Sequence, residues 1–146
     1  MFPDILGEPF ANKHTKLQME GKVAKQLIAQ GRESLPYEYS ALLGGNGSRI
    51  TCHYPALQAE RRRDSFHWNG PELIRALRHM QKGGNRWLGV LHTHPSGSAV
   101  PSSVDVHNWH YAQLSYWILS FSGDHPMLQA YQWVNGSFRL RPFELS

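Results

Sequence analysis

Residues 89–105, GVLHTHPSGSAVPSSVD, combine an apolar strand pattern with two histidines, a proline and a run of small residues. The overlapping segment 86–93, RWLGVLHT, predicts an apolar β-strand that Pro95 cannot continue, because proline lacks the backbone donor of a strand. Residues two apart on a strand point to the same face. One side of this strand is therefore predicted to carry four residues: Leu88, Val90, His92 and His94. Leu88 and Val90 are apolar and fit a core, whereas His92 and His94 lie where the strand ends.

The two histidines at this strand end have the spacing of a metal-binding pair. Two imidazoles on one face can bind one cation, each at about 2.0–2.1 Å. Asp105 lies eleven residues after His94, in the predicted first turn of the next helix, and the small residues between them allow that turn to fold back over the strand. Two nitrogens and one carboxylate leave a fourth tetrahedral position for water, which is typical of a catalytic zinc site. His92, His94 and Asp105 therefore predict one zinc ion per chain.

A simpler interpretation exists for each part of this pattern. Ser102-x-x-Asp105 is also a helix-capping signature, with serine as the N-cap and an acid three residues later. A His-x-His pair at a strand end is weak evidence alone, because the chain contains 9 histidines. The two features together at one strand-to-helix junction favour the metal site, and a capping role for Ser102 does not exclude it.

A hydrolytic zinc site also needs a base that takes a proton from water. Glu38 is the leading candidate, because it follows Pro36 at the entry of the apolar strand 39–45, YSALLGG. Taken alone, this position favours a solvated glutamate at a strand start.

Nucleophilic alternatives to a metal site are weaker. Cys52 and His53 are neighbours on a predicted strand and face opposite ways, and Ser102 has no histidine at helical spacing.

Three helices are predicted around these strands. The first spans residues 20–32 and ends near Gly31, and its apolar face carries Val23, Ala24, Leu27 and Ile28. The second is capped by Asn69, has Pro71 in its first turn and ends at Gly83-Gly84. The third begins near Ser102 or Ser103. Apolar runs predict the strands: 39–45, 49–56, 86–93, 116–121, 127–134 and 137–143. Asn135-Gly136 predicts a hairpin between the last two, and the mixture of elements predicts an α/β architecture.

Composition limits the possible classes of protein. The 146 residues fit one domain, 1–146, and 40% apolar with 18% charged residues is a globular composition. The formal charge of +4 is compatible with an acidic partner and gives no reason to expect nucleic acid. The triplet 61–63, Arg-Arg-Arg, is a solvated loop or a partner patch.

With Cys52 alone, neither an internal disulfide nor a cysteine-based zinc knuckle can form. Residues 1–14 lack a signal-peptide pattern and no apolar run has membrane-spanning length, so we expect a cytoplasmic protein without a membrane partner.

Together these residues resemble the JAMM (MPN-positive) family of zinc metalloproteases. The family signature has a glutamate upstream, then His-Ser/Thr-His-Pro, six residues, serine, two residues and aspartate. This sequence matches it with His92-Thr93-His94-Pro95, Ser102 and Asp105. The upstream block resembles the family's Pro-x-Glu-x-x-Gly-x-Leu-x-Gly through Pro36, Glu38, Leu43 and Gly45. The departure is Ala41, which stands where the family usually has glycine and concerns backbone packing rather than chemistry.

The resemblance implies a single-domain curved mixed β-sheet flanked by helices, similar to the cytidine deaminases. It implies that His92, His94 and Asp105 ligate zinc, and that Glu38 is the general base and then the proton donor to the leaving amine. Ser102 would donate a hydrogen bond to the oxyanion.

Family members cleave amide or isopeptide bonds after a C-terminal glycine of ubiquitin or ubiquitin-like proteins. The short chain is more similar to the compact prokaryotic members, some of which act on ubiquitin-like sulfur carriers with a Gly-Gly tail. The alternative function is a catalytically inactive scaffold of the same fold, which the filled signature positions argue against. Neither the oligomeric state nor the particular substrate follows from the sequence.

Overall fold

The computed structural model describes residues 16–55, 70–103 and 113–146. Asp105, the arginine triplet 61–63 and the predicted third helix beyond Ser103 lie outside these ranges. The helices are α1 (Gly21–Ser34) and α2 (Gly70–Lys82). The strands are β1 (Leu17–Met19), β2 (Ser40–Asn46), β3 (Arg49–Pro55), β4 (Arg86–His94), β5 (Ser115–Ser120), β6 (Met127–Val134), β7 (Ser137–Arg141) and β8 (Phe143–Leu145).

The described strands form one curved mixed sheet with the order β7-β6-β5-β4-β2-β3-β1-β8. β4 runs parallel to β5, and β1 runs parallel to both β3 and β8, whereas the other neighbours are antiparallel. β7 and β8 lie at opposite ends of this order although only Pro142 separates them in the chain. The sheet must therefore curve until its two ends lie close together. The predicted mixed α/β fold class is confirmed.

In the described part of the chain, each face of the sheet carries one helix and one apolar cluster. On the α1 face, Val23 and Leu27 belong to a buried cluster with sheet residues that include Leu91 and Trp117. On the α2 face, the buried cluster combines helix and sheet residues, among them Leu77, Met80, Val90, Tyr116 and Ile118. Neither helix in the described ranges is long and apolar enough to cross a membrane.

A bulge in β4 decides which residues face α2. Leu43 of β2 pairs with Gly89, but the next residue, Gly44, pairs with Trp87, so Leu88 is an extra residue in β4. A bulge of this kind shifts the alternation of side chains by one position. Leu88 accordingly lies in the α1 cluster, whereas Val90 lies in the α2 cluster. The prediction that these two residues share a face was wrong.

The other predicted elements differ mainly at their ends. β1 and β8 were not predicted, because each has only three residues. The segment 137–143 was predicted as one strand, but Pro142 separates β7 from β8, which pairs with β1. The Asn135-Gly136 hairpin is confirmed, with both residues at positive φ (49° and 80°), as a two-residue hairpin turn requires.

The sequence predicted that α1 ends near Gly31, but the helix continues to Ser34. Gly31 is buried, and a Cβ atom added there would lie 2.9 Å from the ring of Phe121 and 3.1 Å from Cγ2 of Thr93. The glycine therefore allows α1 to approach the sheet closely, next to the residue between the two histidines.

Replacing Gly31 with alanine should destabilise the protein by about 1–3 kcal/mol, because the added methyl group overpacks this contact. Denaturant unfolding of Gly31→Ala measures the change, and Lys25→Ala on the exposed side of α1 is the control, with an expected change near zero. Stabilisation of Gly31→Ala by about 0.5–1 kcal/mol, the ordinary gain for alanine over glycine in a helix, would contradict the close contact.

Candidate metal centre

Three potential metal ligands meet at the end of β4. The Nε2 atoms of His92 and His94 lie 3.0 Å apart. Oε1 of Glu38 lies 3.9 Å from Nε2 of His92, and one ligand atom from each of the three residues falls within 4.8 Å of the others. His92 is fully buried and His94 is partly buried. The site therefore has a buried side and a side open to solvent.

The spacing of the two imidazoles fits one shared cation. Two nitrogens bound to a tetrahedral zinc ion at about 2.0–2.1 Å are separated by about 3.3 Å. Two nitrogen lone pairs that face each other at 3.0 Å repel unless a cation or a proton lies between them. Neutral imidazole and carboxylate are also the donor types that zinc prefers among these side chains. The residues that are present thus fit a zinc ion.

His94 is held in the tautomer that metal binding needs. Its Nδ1 atom lies 2.7 Å from the carbonyl oxygen of Ser98. A carbonyl oxygen can only accept a hydrogen bond, so Nδ1 carries the hydrogen and donates it. In the neutral ring the lone pair is then on Nε2, which faces His92. A backbone carbonyl is a common partner of this kind behind a metal-binding histidine.

The ring of His92 lies on the α2 face of the sheet. Its centroid is 5.1 Å from that of Tyr116, a member of the α2 cluster. His92 pairs with Ser40 of β2 on one side and with Ile118 of β5 on the other. The strand bearing the histidines is therefore held from both sides.

Thr93, between the two histidines, joins the end of β4 to the segment that bears Glu38. Its backbone N–H donates to the carbonyl oxygen of Tyr39 at 2.9 Å, and its Oγ1 accepts from the N–H of Tyr39 at 2.8 Å. The Tyr39 hydroxyl in turn donates to the side-chain oxygen of Gln30 in α1. Burial raises the pKa of Tyr39, so the hydroxyl stays protonated and remains a donor. These bonds place Glu38 beside His92.

The structure brings together three of the five site residues that the sequence indicated: Glu38, His92 and His94. Ser102 is exposed, and the backbone is helical at Ser103, the last described residue before the gap. Asp105 lies outside the described residues. Two features were not predicted from the sequence: the hydrogen bond from His94 to the Ser98 carbonyl, and the bonds between Thr93 and Tyr39. The carbonyl could not have been found, because a backbone contact does not depend on which side chain is present.

Cys52 and His53 lie on opposite faces of the sheet, as predicted. A Cβ atom added at Gly44 would lie 3.1 Å from Sγ of Cys52 and 3.2 Å from Cγ of Met80, which belongs to the α2 cluster. Nε2 of His53 lies 2.9 Å from Oε1 of Gln26 in α1. Burial raises the pKa of the Cys52 thiol and lowers that of His53, so neither a thiolate nor an imidazolium is favoured. This pair does not form a nucleophilic dyad.

The chain is similar to a known protein family and to several solved structures. The profile of prokaryotic homologues of the JAB domain matches residues 20–134. A protein from Desulfitobacterium hafniense with a solution structure is 26% identical, with a TM-score of 0.80 over 89% of this chain and 92% of that one. No protein with a curated description matches the chain significantly.

Two more distant structures carry descriptive titles. A JAB1/MPN domain protein from Archaeoglobus fulgidus is 18% identical, with a TM-score of 0.59 over 89% of this chain and 99% of that one. A structure described as a metalloprotease-like zinc site in the proteasome and signalosome is 17% identical, with a TM-score of 0.56 over 88% and 98% of the two chains. At these identities the similarity shows the fold. Since the family profile covers most of its length, the chain belongs to the prokaryotic JAB-domain family, with the JAB/MPN fold.

Proposed function

We propose that the protein is a zinc-dependent hydrolase that cleaves a peptide or isopeptide bond after the C-terminal glycine of a ubiquitin-like or sulfur-carrier protein. The observation that carries the proposal is the cluster of His92, His94 and Glu38 at the end of β4. The family supports it, because this fold includes a structure described as a metalloprotease-like zinc site. An inactive scaffold would have no need for a tautomer-fixed histidine beside a second imidazole and a carboxylate.

In this proposal His92, His94 and Asp105 hold one zinc ion per chain. The ion, when bound, supplies Lewis-acid activation of water and of the scissile carbonyl. Glu38 takes a proton from the attacking water, and the same carboxylic acid then gives it to the nitrogen of the leaving amine. The Ser102 hydroxyl donates a hydrogen bond to the oxyanion that forms when water adds to the carbonyl carbon. The carbon–nitrogen bond then breaks, which yields a free carboxylate and an amine.

The roles of ligand and base can be separated, because Glu38 lies close enough to the histidines to serve as either. If Glu38 is the base, Glu38→Gln should keep about one zinc ion per chain and lose turnover, since an amide cannot accept the proton. His92→Ala/His94→Ala should lose the zinc itself. Metal analysis and a hydrolysis assay on the same folded samples measure both properties.

Three results would contradict these assignments. Full zinc content in the double histidine variant would exclude the metal site. Turnover of Glu38→Gln at the wild-type rate would exclude Glu38 as the base, and loss of zinc from this variant would make it a ligand instead.

The bond between Thr93 and Tyr39 should matter for turnover, because it positions the base. Thr93→Val keeps the shape of the side chain but removes the acceptor for the Tyr39 N–H. We expect turnover to fall by roughly 10-fold or more with zinc content unchanged, since small displacements of a catalytic group are costly. Thr93→Ser keeps the acceptor and is the matched control, with turnover close to the wild type. A similar loss in both variants would show that the hydroxyl is not what positions Glu38.

The substrate proposal rests on the resemblance to a family that cleaves after a C-terminal glycine, and on charge. Glycine has no side chain that could clash with residues around the site. The exposed side of α2 carries Arg75, Arg78 and Lys82, and α2 covers the sheet face to which His92 belongs. With the formal charge of +4, these residues favour an acidic partner protein and a reaction that slows as salt rises.

The test is cleavage of a ubiquitin-like sulfur carrier fused through its Gly-Gly tail to a second protein, followed by intact-mass analysis. We expect cleavage immediately after the second glycine, and about 5- to 150-fold slower cleavage when the penultimate glycine is replaced by leucine, because a clash of the added side chain costs about 1–3 kcal/mol. Glu38→Gln is the control for contaminating proteases. Equal cleavage of the two fusions would exclude selection of a glycine tail.

A further inference from the structure

The loop 95–101, which joins β4 to Ser102, is bound to the sheet through three consecutive carbonyl groups. Each of them accepts a hydrogen bond from a side chain on a different strand. The pairs are Ser120 Oγ of β5 with Gly97 O at 2.6 Å, His94 Nδ1 of β4 with Ser98 O at 2.7 Å, and the Tyr131 hydroxyl of β6 with Ala99 O. The middle bond of the three is the one that fixes the tautomer of His94.

The two outer donors are buried polar groups among apolar residues. Ser120 is 2% exposed and ends β5, in which residues 116–119 are Tyr, Trp, Ile and Leu. Tyr131 is 7% exposed and packs in the α2 cluster. Burial raises the pKa of the Tyr131 hydroxyl, so this group stays a donor. A buried polar group destabilises the protein unless it is hydrogen-bonded. The hydroxyls of Ser120 and Tyr131 both donate to carbonyl groups of the same loop.

Apart from these bonds, the described contacts of the loop include the packing of Ala99 in the α2 cluster. Ser96, Gly97 and Ser98 are exposed, and only Ala99 of the segment 96–100 is buried. A short, exposed segment with glycine and serine is mobile by default. The Ser98 carbonyl would then not stay at one distance from His94. Hydrogen bonds from Ser120 and Tyr131 to the carbonyl groups on either side of it, those of Gly97 and Ala99, restrict this movement.

We propose that Ser120 and Tyr131 are positioning residues of the metal centre, which hold the Ser98 carbonyl where it accepts the hydrogen of His94 Nδ1. They act through the loop, and neither has to touch metal or substrate. The consequence for zinc rests on the proposed function, whereas the consequence for the His94 ring does not.

The test compares Ser120→Ala and Tyr131→Phe with Ser115→Ala. Ser115 lies at the other end of β5 and is fully buried; its hydroxyl donates to the carbonyl oxygen of Leu88 at 2.8 Å and accepts from Nε1 of Trp117 at 2.8 Å. Ser115→Ala thus removes buried hydrogen bonds at a place remote from the loop. Zinc affinity, measured by competition with a chelator, should fall about 10-fold in each positioning variant, as is typical for partners behind a metal ligand. Ser115→Ala should bind zinc as the wild type does, although all three variants should melt at lower temperature.

A second measurement on metal-free protein separates this inference from the proposed function. Nitrogen-15 NMR of the imidazoles should show His94 with its hydrogen on Nδ1 in the wild type and in Ser115→Ala, and a mixture of tautomers in Tyr131→Phe. Tyr131→Phe keeps the buried ring, so it remains folded if Ser120→Ala does not.

If the wild type binds no zinc, the proposed function fails and the NMR result still decides the role of the two residues. If Tyr131→Phe keeps both the wild-type tautomer and the wild-type zinc affinity, the positioning role is excluded.

Discussion

The site depends on the pairing of β4 with β2 on one side and with β5 on the other. β4 ends in the His-Thr-His segment, and both neighbours contribute at that end. The start of β2 brings Glu38 through the bonds between Tyr39 and Thr93. The end of β5 contacts β4 through the Phe121 N–H, which donates to the carbonyl oxygen of His94 at 3.1 Å, and it carries Ser120. Because β4 and β5 are parallel, their C-terminal ends lie side by side. A polar site thereby forms at the end of strands whose central residues are buried.

Thr93 links the packing of α1 on the sheet to the polar site at the end of β4. Thr93 points toward α1, where its methyl group lies close to Gly31, while its neighbours His92 and His94 serve the other face. Helix α1 can approach the sheet at this point only because residue 31 has no side chain. Packing on one face therefore supports the position of the metal ligands on the other. At the strand end, Nε2 of the buried His92 lies beside Nε2 of His94 and Oε1 of Glu38, and these polar neighbours offset part of the cost of burying the ring.

Much of this arrangement could be predicted from the sequence. The apolar run before Pro95, the spacing of the histidines, the Asn135-Gly136 turn and the Gly83-Gly84 helix end are local patterns with a direct physical cause. The bulge at Leu88 could not be predicted, because it depends on the pairing of β4 with β2 and leaves no mark in the alternation of apolar residues. β1 and β8 were too short to give a pattern. The three carbonyl contacts of the loop 95–101 are set by the backbone, and a sequence shows only which side chains could serve as donors.

His92 and His94 are expected to bind one zinc ion together with carboxylate oxygen. X-ray absorption at the zinc edge of the loaded wild-type protein tests this most directly, since the spectrum reports ligand type and distance. We expect two imidazole nitrogens and two oxygens, all at about 2.0–2.2 Å, in a four-coordinate site. A sulfur ligand at about 2.3 Å, which only cysteine chemistry would supply, or a zinc ion without imidazole scattering would contradict the account.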